Sequence, residues 1–270
     1  MKQIKKVVYS CITGGYDDIP IHNYVDANWD YVMFTDNRDL IKRGKYEHWT
    51  IRPLAFDKLT NVKNARWHKV NAHILFPEYD YSLWIDSNII VNNENLFQTL
   101  DKLITQKCPV AVPNHPLRTC IYDEAAEIKR CQIDFPKTVD AEMNFLKRKH
   151  YPKGNGLSET NILLRKHNDI TETLDLWWKM IEKYSKRDQL SFNYALWQTG
   201  VPNTPIYTDE NGFGIHRKSD DFTFVFKSSH NQNKITKQPS ELRKFVVRLV
   251  GCFIPIAKYR RKFKQKLMGK

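Results

Sequence analysis

Short apolar runs alternate along the chain with segments in which apolar residues recur every three or four positions. The runs have the length of buried strands, and the three-to-four spacing is typical of amphipathic helices. The pattern predicts strands at Lys6–Thr13, Tyr31–Thr35, Trp49–Leu54, Tyr81–Ile85, Pro109–Val112, Thr160–Leu164 and Phe222–Phe226. It predicts helices at Val62–Leu75, Leu96–Ile104, Ile121–Cys131, Val139–Arg148, Thr171–Tyr184 and Gln189–Gln198. This alternation implies a Rossmann-like α/β domain whose mostly parallel sheet is covered on both faces.

The basic character of the protein is concentrated at one end. Residues 241–270 contain ten Lys or Arg and one Glu, so they carry +9 of the net charge of +13. We therefore expect a single domain at residues 1–240 and a basic tail at 241–270. The small charge of the domain argues against a nucleic-acid partner, which needs basic residues across a folded face.

The tail combines its charge with an apolar stripe of four residues, Leu242, Val246, Leu249 and Phe253. A basic amphipathic segment suits an anionic membrane surface. A helix docked on the core with a solvated basic end fits the same pattern, and the sequence leaves both interpretations open.

Cysteine usage and the N-terminus indicate a cytoplasmic protein. The five cysteines are odd in number and contain no Cys-x-x-Cys pair, which disfavours a disulfide framework or a zinc site. The N-terminus turns polar too early for a signal peptide, and no apolar run approaches the roughly 20 residues that span a bilayer. We expect a cytoplasmic location, with the tail at the cytoplasmic face of a membrane if it binds one.

Polar clusters follow three of the predicted strands, at residues 13–17, 35–37 and 86–88. Ligands of open α/β sheets bind beyond the carboxyl ends of the strands, so these clusters predict the binding site. In the third cluster, Asp86 and Asn88 could give oxygen ligands to Mg²⁺ or Mn²⁺, which take few protein groups when phosphates complete the shell. A simple turn, with Asp86 as its cap, is the alternative.

Five segments, in this order, carry a resemblance to a known family: Thr13-Gly14-Gly15-Tyr16-Asp17, Phe34-Thr35-Asp36, Asn64-Ala65-Arg66-Trp67-His68-Lys69, Trp84-Ile85-Asp86-Ser87-Asn88 and Lys186-Arg187-Asp188-Gln189-Leu190-Ser191-Phe192. Over residues 5–232 the chain resembles a glycosyltransferase-like family, once a domain of unknown function, that includes plant mucilage-biosynthesis and bacterial envelope-polysaccharide proteins.

The resemblance implies a GT-A fold and a hexosyltransferase that uses a nucleotide-sugar donor, expected to be UDP-linked, with Mn²⁺ or Mg²⁺. The acceptor would be a glycan or a lipid-linked sugar in surface polysaccharide biosynthesis, such as capsule or lipopolysaccharide. The donor motif of the family ends in a carboxylate where this chain has Asn88. A non-catalytic nucleotide- or carbohydrate-binding protein on the same fold is therefore the main alternative, and a nucleic-acid-binding protein is a weaker one.

The first two motifs are predicted to hold the nucleotide. By position, Thr13, Gly14 and Asp17 line its pocket, and the Gly-Gly pair allows a close backbone approach. Asp36 could accept hydrogen bonds from the base or the ribose. Ordinary turns at the strand ends are the alternative for both motifs.

Two basic residues share a face of the predicted helix, since Arg66 and Lys69 are three positions apart. They are predicted to clamp the diphosphate, with the guanidinium making a bidentate contact. The alternative is a solvated basic face.

Asp188 is predicted to act on the acceptor hydroxyl as a base or to position the donor sugar, and Gln189 to hold sugar hydroxyls. A helix N-cap is the alternative for Asp188. His230 is predicted to complete the metal shell, with His216 as its competitor. His115 and Glu124 could face the acceptor, although the sequence gives no strong reason to assign either.

Overall fold

The computed structural model describes residues 3–225, in which the alternating pattern forms a central sheet with helices on both faces. The ten strands are β1 Lys6–Ile12, β2 Asp30–Thr35, β3 Lys45–Tyr46, β4 Trp49–Pro53, β5 Tyr81–Ile85, β6 Ile89–Val91, β7 Val110–Pro113, β8 Ile162–Lys166, β9 Thr204–Ile206 and β10 Phe222–Phe224. The helices are α1 Arg38–Arg43, α2 Asn61–Val70, α3 Ala72–Leu75, α4 Asn95–Thr105, α5 Ile121–Arg130, α6 Pro136–Arg148, α7 His167–Lys183 and α8 Gln189–Thr199, followed by a 3₁₀ turn at His216–Lys218.

Six of the eight strands in the main sheet point the same way. The order is β3-β4-β2-β1-β5-β8-β7-β9, and β4, β2, β1 and β5 pair in parallel. β8 runs antiparallel to both of its neighbours, and β3 is an antiparallel edge strand. β6 and β10 form a separate antiparallel ribbon. The predicted α/β architecture with a mostly parallel sheet is confirmed.

Alternate residues of β1 serve two different cores. Val8 packs in the core that contains the apolar face of α4, whereas Val7 and Tyr9 pack in the core on the other face, with α3, α7 and α8. Successive strand side chains point to opposite faces, and both faces of this strand are buried. This explains why apolar residues occupy both faces of the strand, with the buried Ser10 as an exception, rather than alternating with polar ones.

The helix predicted at Val62–Leu75 is two helices, because the helical conformation is interrupted at Asn71. Its side-chain amide donates to the carbonyl oxygen of Trp67 at 2.9 Å, and its backbone leaves the helical region at φ −90°, ψ 43°. The buried Arg165 of β8 donates to the carbonyl oxygens of Lys69 and Val70. These acceptors at the end of α2 are thereby satisfied by a distant cation, which a local pattern does not reveal.

Four short elements were not predicted from the sequence pattern: α1, β3, β6 and β9. The strand predicted at 222–226 is shorter and belongs to the two-stranded ribbon, with residue 226 outside the described part. The tail at 241–270 and the boundary at residue 240 also lie outside residues 3–225 and stay predictions. Among the described residues, none of the helices has the length and apolar character that crossing a membrane requires.

The segment that follows β9 folds back against the end of β7. Gly214 bridges to Thr208 and donates its amide to the carbonyl oxygen of His115 at 3.4 Å. A β-carbon at Gly214 would lie 1.9 Å from the backbone oxygen of Asn114, whereas one at Gly212 would meet nothing within 4 Å. This close approach fixes the path of the chain into the 3₁₀ turn.

We expect Gly214→Ala to lower the free energy of unfolding by about 3 kcal/mol, because the backbone atom in its way cannot rotate aside. Gly212→Ala is the matched control; its φ of +84° makes alanine strained there, at a cost of about 1 kcal/mol. Urea denaturation measures both. Equal losses in the two variants would contradict the close-packing argument.

Candidate donor-binding site

One cavity of about 140 Å³ lies where the carboxyl end of β5 meets α2 and the start of α8. Its lining is almost entirely polar: Arg66, Lys69, Asp86, Asn88, Glu159, Thr160, Asn161, Arg187, Asp188, Gln189, Arg217 and Phe224. Six of these were singled out from the sequence as ligand-binding or catalytic residues. The structure brings these six together although they are up to 123 positions apart, the separation of Arg66 and Gln189.

Lys69 lies at the centre of the site and is almost completely buried, with its side chain 1% exposed. Its Nζ lies 2.7 Å from Asp188 Oδ2, 3.0 Å from Thr160 Oγ1 and 3.4 Å from Asp86 Oδ1. An ammonium group has three N–H donors, so these three acceptors use all of them. The predicted role of Lys69 as a diphosphate clamp stays untested; in the structure this cation joins two carboxylates.

Asp188 is held as a carboxylate by the cations around it. Burial raises its pKa, but the charges of Arg66 and Lys69 oppose this effect and leave the pKa well below its usual range. Arg66 Nε lies 3.5 Å from Asp188 Oδ1, and Thr160 donates to Oδ2 at 2.8 Å. Although Asp188 occupies the N-cap position of α8, its side chain makes no capping hydrogen bond. The capping alternative is therefore not what the structure shows.

Asp86 and Asn88 follow β5 and face the same cavity. Asp86 Oδ1 accepts from Trp84 Nε1 at 2.6 Å and from Lys69, whereas Oδ2 accepts no hydrogen bond from the described residues. Among these residues, the side chain of Asn88 has no hydrogen-bond partner either. One carboxylate oxygen and one amide oxygen remain open to a ligand, which fits a cation that takes few protein ligands.

Glu159, Asn161 and Arg217 belong to the site but were not predicted. Arg217 makes a bidentate pair with Glu159, and His216 Nε2 lies 3.0 Å from Glu159 Oε2. The backbone carbonyl oxygen of Asn161 accepts the backbone N–H of Asp86 at 2.8 Å and thereby fixes the turn after β5. The sequence offered little to find them, since no recognisable spacing relates them to the family motifs.

The four residues predicted to hold the nucleotide are not among the residues that line the cavity. Gly14 donates its N–H to Asp36 at 2.8 Å, and Thr13 donates its hydroxyl to the carbonyl oxygen of Asn61 at 2.9 Å. Asp17 accepts the hydroxyl of Ser87, the neighbour of Asp86. The first, second and fourth motifs are thus connected, and the nucleotide roles of Thr13, Gly14, Asp17 and Asp36 stay predictions.

Of the three predicted metal ligands, the structure describes Asp86 and Asn88 but not His230, which lies outside the described residues. His216 is fully buried beside Glu159 and is absent from the lining of the cavity. Within residues 3–225, no three His, Cys, Asp or Glu side chains are grouped as a metal site would require. His115 and Glu124 form a separate buried cluster with Arg118, which donates to Glu124 at 2.6 Å.

The lining carries a net positive charge, since it has four cationic and three anionic side chains. Arg66 Nε and Arg187 Nε are buried without a hydrogen-bond acceptor, and Asn161 Oδ1 is buried without a donor. Buried polar atoms are usually hydrogen-bonded, so atoms left without partners around a cavity indicate a polar ligand. The charge excess favours an anionic one.

A comparison with protein families bears on this geometry. Residues 1–209 match the model of the TOD1/MUCI70 glycosyltransferase-like domain. The chain belongs to this family. The resemblance inferred from the five motifs is therefore confirmed, and the α/β architecture that the predicted GT-A fold requires is present in the family's matched region.

A curated relative of this TOD1/MUCI70 chain is the probable hexosyltransferase MUCI70 of Arabidopsis thaliana, which is 24% identical over 220 residues. The match covers 72% of this chain and 37% of the relative. The chain thus spans little more than a third of the length of the plant protein.

Two solved structures are also similar. The bifunctional glycosyltransferase WbbM aligns over 76% of this chain and 39% of its own, with 14% identity and a TM-score of 0.46. Mouse xyloside xylosyltransferase 1 aligns over 75% of this chain and 84% of its own, with 10% identity and a TM-score of 0.44.

The ion pair between Glu159 and Arg217 predicts how the stability of the folded protein depends on pH. Burial raises the pKa of Glu159, but hydrogen bonds from His216 and Arg217 overcome this and lower it from 4.5 to about 2. A carboxyl whose pKa is depressed on folding stabilises the protein above its unfolded pKa, and this contribution disappears as pH falls through the folded value. The stabilisation should therefore be present above pH 4.5 and decline towards pH 2.

We expect Glu159→Gln to be less stable than the wild type by about 1–3 kcal/mol at pH 6, with the difference shrinking as pH falls from 4.5 to 2. Urea denaturation across this range measures it, and Glu78→Gln, at an exposed position, is the control. A difference that stays constant with pH would contradict the assignment.

Proposed function

We propose that the protein transfers a hexosyl group from a nucleotide-sugar donor to a glycan acceptor. The observation that carries this proposal is the convergence of Asp86, Asp188 and a surplus of cationic side chains on one cavity at the carboxyl end of the sheet. Membership of a glycosyltransferase-like family and the name of the plant relative, a probable hexosyltransferase, support it.

In the proposed reaction, the bond between the anomeric carbon and the phosphate oxygen breaks, and its electron pair stays on the departing nucleoside diphosphate. The acceptor oxygen bonds to the anomeric carbon and releases its proton to water. Negative charge therefore grows on the diphosphate, and fixed positive charges around it stabilise the transition state. The positive excess of the cavity lining fits this demand.

Within this reaction, we assign Asp188 to positioning the donor sugar rather than to accepting the acceptor's proton. A carboxylate whose pKa is depressed by two cations is a weak base, and proton transfer is most efficient when the pKa of the base is near the working pH. Its charge and fixed orientation instead suit hydrogen bonds from sugar hydroxyls. Gln189, which is buried beside it, would share this role.

We also propose that a divalent cation, Mn²⁺ or Mg²⁺, takes part. Asp86 Oδ2 and Asn88 Oδ1 are the oxygen atoms that would hold it, together with the phosphates of a UDP-linked or related donor. When bound, such a cation stabilises the charge of the leaving group. Lys69 contacts the other oxygen of Asp86 and would keep this carboxylate oriented. The predicted participation of His230 remains part of this proposal.

We expect Asp86→Ala to lower the rate of donor turnover by at least about 10²-fold, the scale for removing a key electrostatic group. The assay is hydrolysis of a panel of nucleotide sugars, with and without Mn²⁺. Asp140→Ala is the control, because this carboxylate is on the exposed face of α6 and makes a surface ion pair with Lys129.

Near-normal turnover in folded Asp86→Ala would overturn the donor-site assignment. Tight binding of a nucleotide sugar by the wild type, without turnover of any donor or transfer to an acceptor, would favour the non-catalytic alternative.

For the tail, we propose attachment to an anionic membrane surface, where lipid-linked or envelope acceptors such as capsule or lipopolysaccharide precursors would be met on the cytoplasmic side. Several basic residues near such a surface contribute about 1 kcal/mol each, and salt screens the attraction. We expect the full chain to bind anionic vesicles at low salt and a chain ending at Ser240 to lose binding but keep donor hydrolysis. An insoluble truncated chain would instead favour the interpretation in which the tail is a helix docked on the core.

A further inference from the structure

Each carboxylate in the lining of the cavity already has a cationic partner within the protein. Asp188 pairs with Lys69 and Arg66, Asp86 contacts Lys69, and Glu159 pairs with Arg217. These contacts engage three of the four cations of the lining. The positive charges of these three side chains are therefore partly balanced by carboxylates of the protein before any ligand binds.

Arg187 is the remaining cation. Among the described residues, it makes no ion pair with a carboxylate within 4 Å, although its charge adds to those of Arg66 and Lys69 in lowering the pKa of Asp188. Its Nη2 donates at 2.9 Å to the neutral amide oxygen of Gln189. Its Nε is buried and has no acceptor. A guanidinium has five N–H donors in a planar fork, so most of its hydrogen-bonding capacity is unused. Desolvating such a donor costs free energy unless a ligand supplies the acceptor.

The backbone around Arg187 is fixed by residues that do not touch the cavity. Its amide donates to Ser185 Oγ at 3.1 Å, and that hydroxyl donates to the buried Asp134 at 2.7 Å. On the other side, the buried Trp177 donates its indole N–H to the carbonyl oxygen of Asp188 at 2.9 Å. The turn that carries Arg187 is thus held at both ends, and the hydrogen bond to Gln189 orients the guanidinium.

We propose that Arg187 binds the phosphate group that is bonded to the donor sugar and stabilises the negative charge that grows there as the sugar leaves. The proposal rests on the proposed glycosyltransferase function. The choice of phosphate follows from Gln189, which orients the guanidinium and which we place against the sugar. In a nucleoside diphosphate, the terminal phosphate is the one that was bonded to the sugar. A nucleoside monophosphate lacks that phosphate, so Arg187 should distinguish the diphosphate from the monophosphate.

The test is calorimetric titration of the full chain, in the presence of Mn²⁺, with UDP, GDP, ADP and CDP, followed by the monophosphate of whichever diphosphate binds most tightly. We expect Arg187→Gln to weaken diphosphate binding by about 10- to 100-fold, the range for a lost charge-assisted hydrogen bond. Monophosphate binding should change by less than about threefold, since that ligand lacks the phosphate in question. Arg130→Gln is the matched control, because it removes the same charge from an exposed position on α5 that does not line the cavity.

Arg187→Lys keeps the measurement informative if Arg187→Gln does not fold. It retains the charge but loses the planar fork, so diphosphate binding should weaken by roughly fivefold while monophosphate binding is retained.

Equal weakening of diphosphate and monophosphate binding, or none, would overturn the role of Arg187 and leave the proposed function intact. Failure of the wild type to bind any of the four diphosphates would overturn the proposed function itself, and the role of Arg187 with it.

Discussion

The candidate site depends on one buried ammonium group. Lys69 Nζ contacts both Asp188, which precedes α8, and Asp86, which follows β5. Lys69 itself lies on a third element, α2. Two carboxylates so close to one cavity would repel each other, and burial would favour their protonation. The shared cation, together with Arg66, keeps Asp188 ionised although it is almost completely buried.

The position of Lys69 is itself fixed by a second buried cation. Arg165 donates to the carbonyl oxygens at the end of α2 and to the hydroxyl of Tyr9, and that hydroxyl donates to the carbonyl oxygen of Lys69 at 2.7 Å. A cation near the C-terminus of a helix interacts favourably with the helix dipole. The network ties α2 to β1 and β8, so the helix that carries Arg66 and Lys69 is anchored to the middle of the sheet.

These two arrangements separate structural cations from those available to a ligand. Lys69 and both terminal nitrogens of Arg165 donate to acceptors supplied by the protein, although Arg165 Nε has none, and these two residues hold the scaffold. Arg187 keeps unused donors and lies in a turn that is fixed by Ser185 and Trp177. Preorganised donors of this kind stabilise developing charge without having to reorient during the reaction. The same fold therefore supports both a rigid frame and a cavity with a positive excess.

The sequence by itself determined the alternation of strands and helices, the polar clusters at the strand ends and the family motifs, because these depend on local spacing and residue type. It placed Asp86, Asn88, Asp188, Gln189, Arg66 and Lys69 among the functional residues, and all six line one cavity. Only the tertiary structure decided that Lys69 is buried between two carboxylates, that α2 ends where Arg165 meets it, and that Glu159, Arg217 and Arg187 share the cavity. Those outcomes depend on contacts between residues far apart in the chain, where burial and ion pairing override what any local pattern specifies.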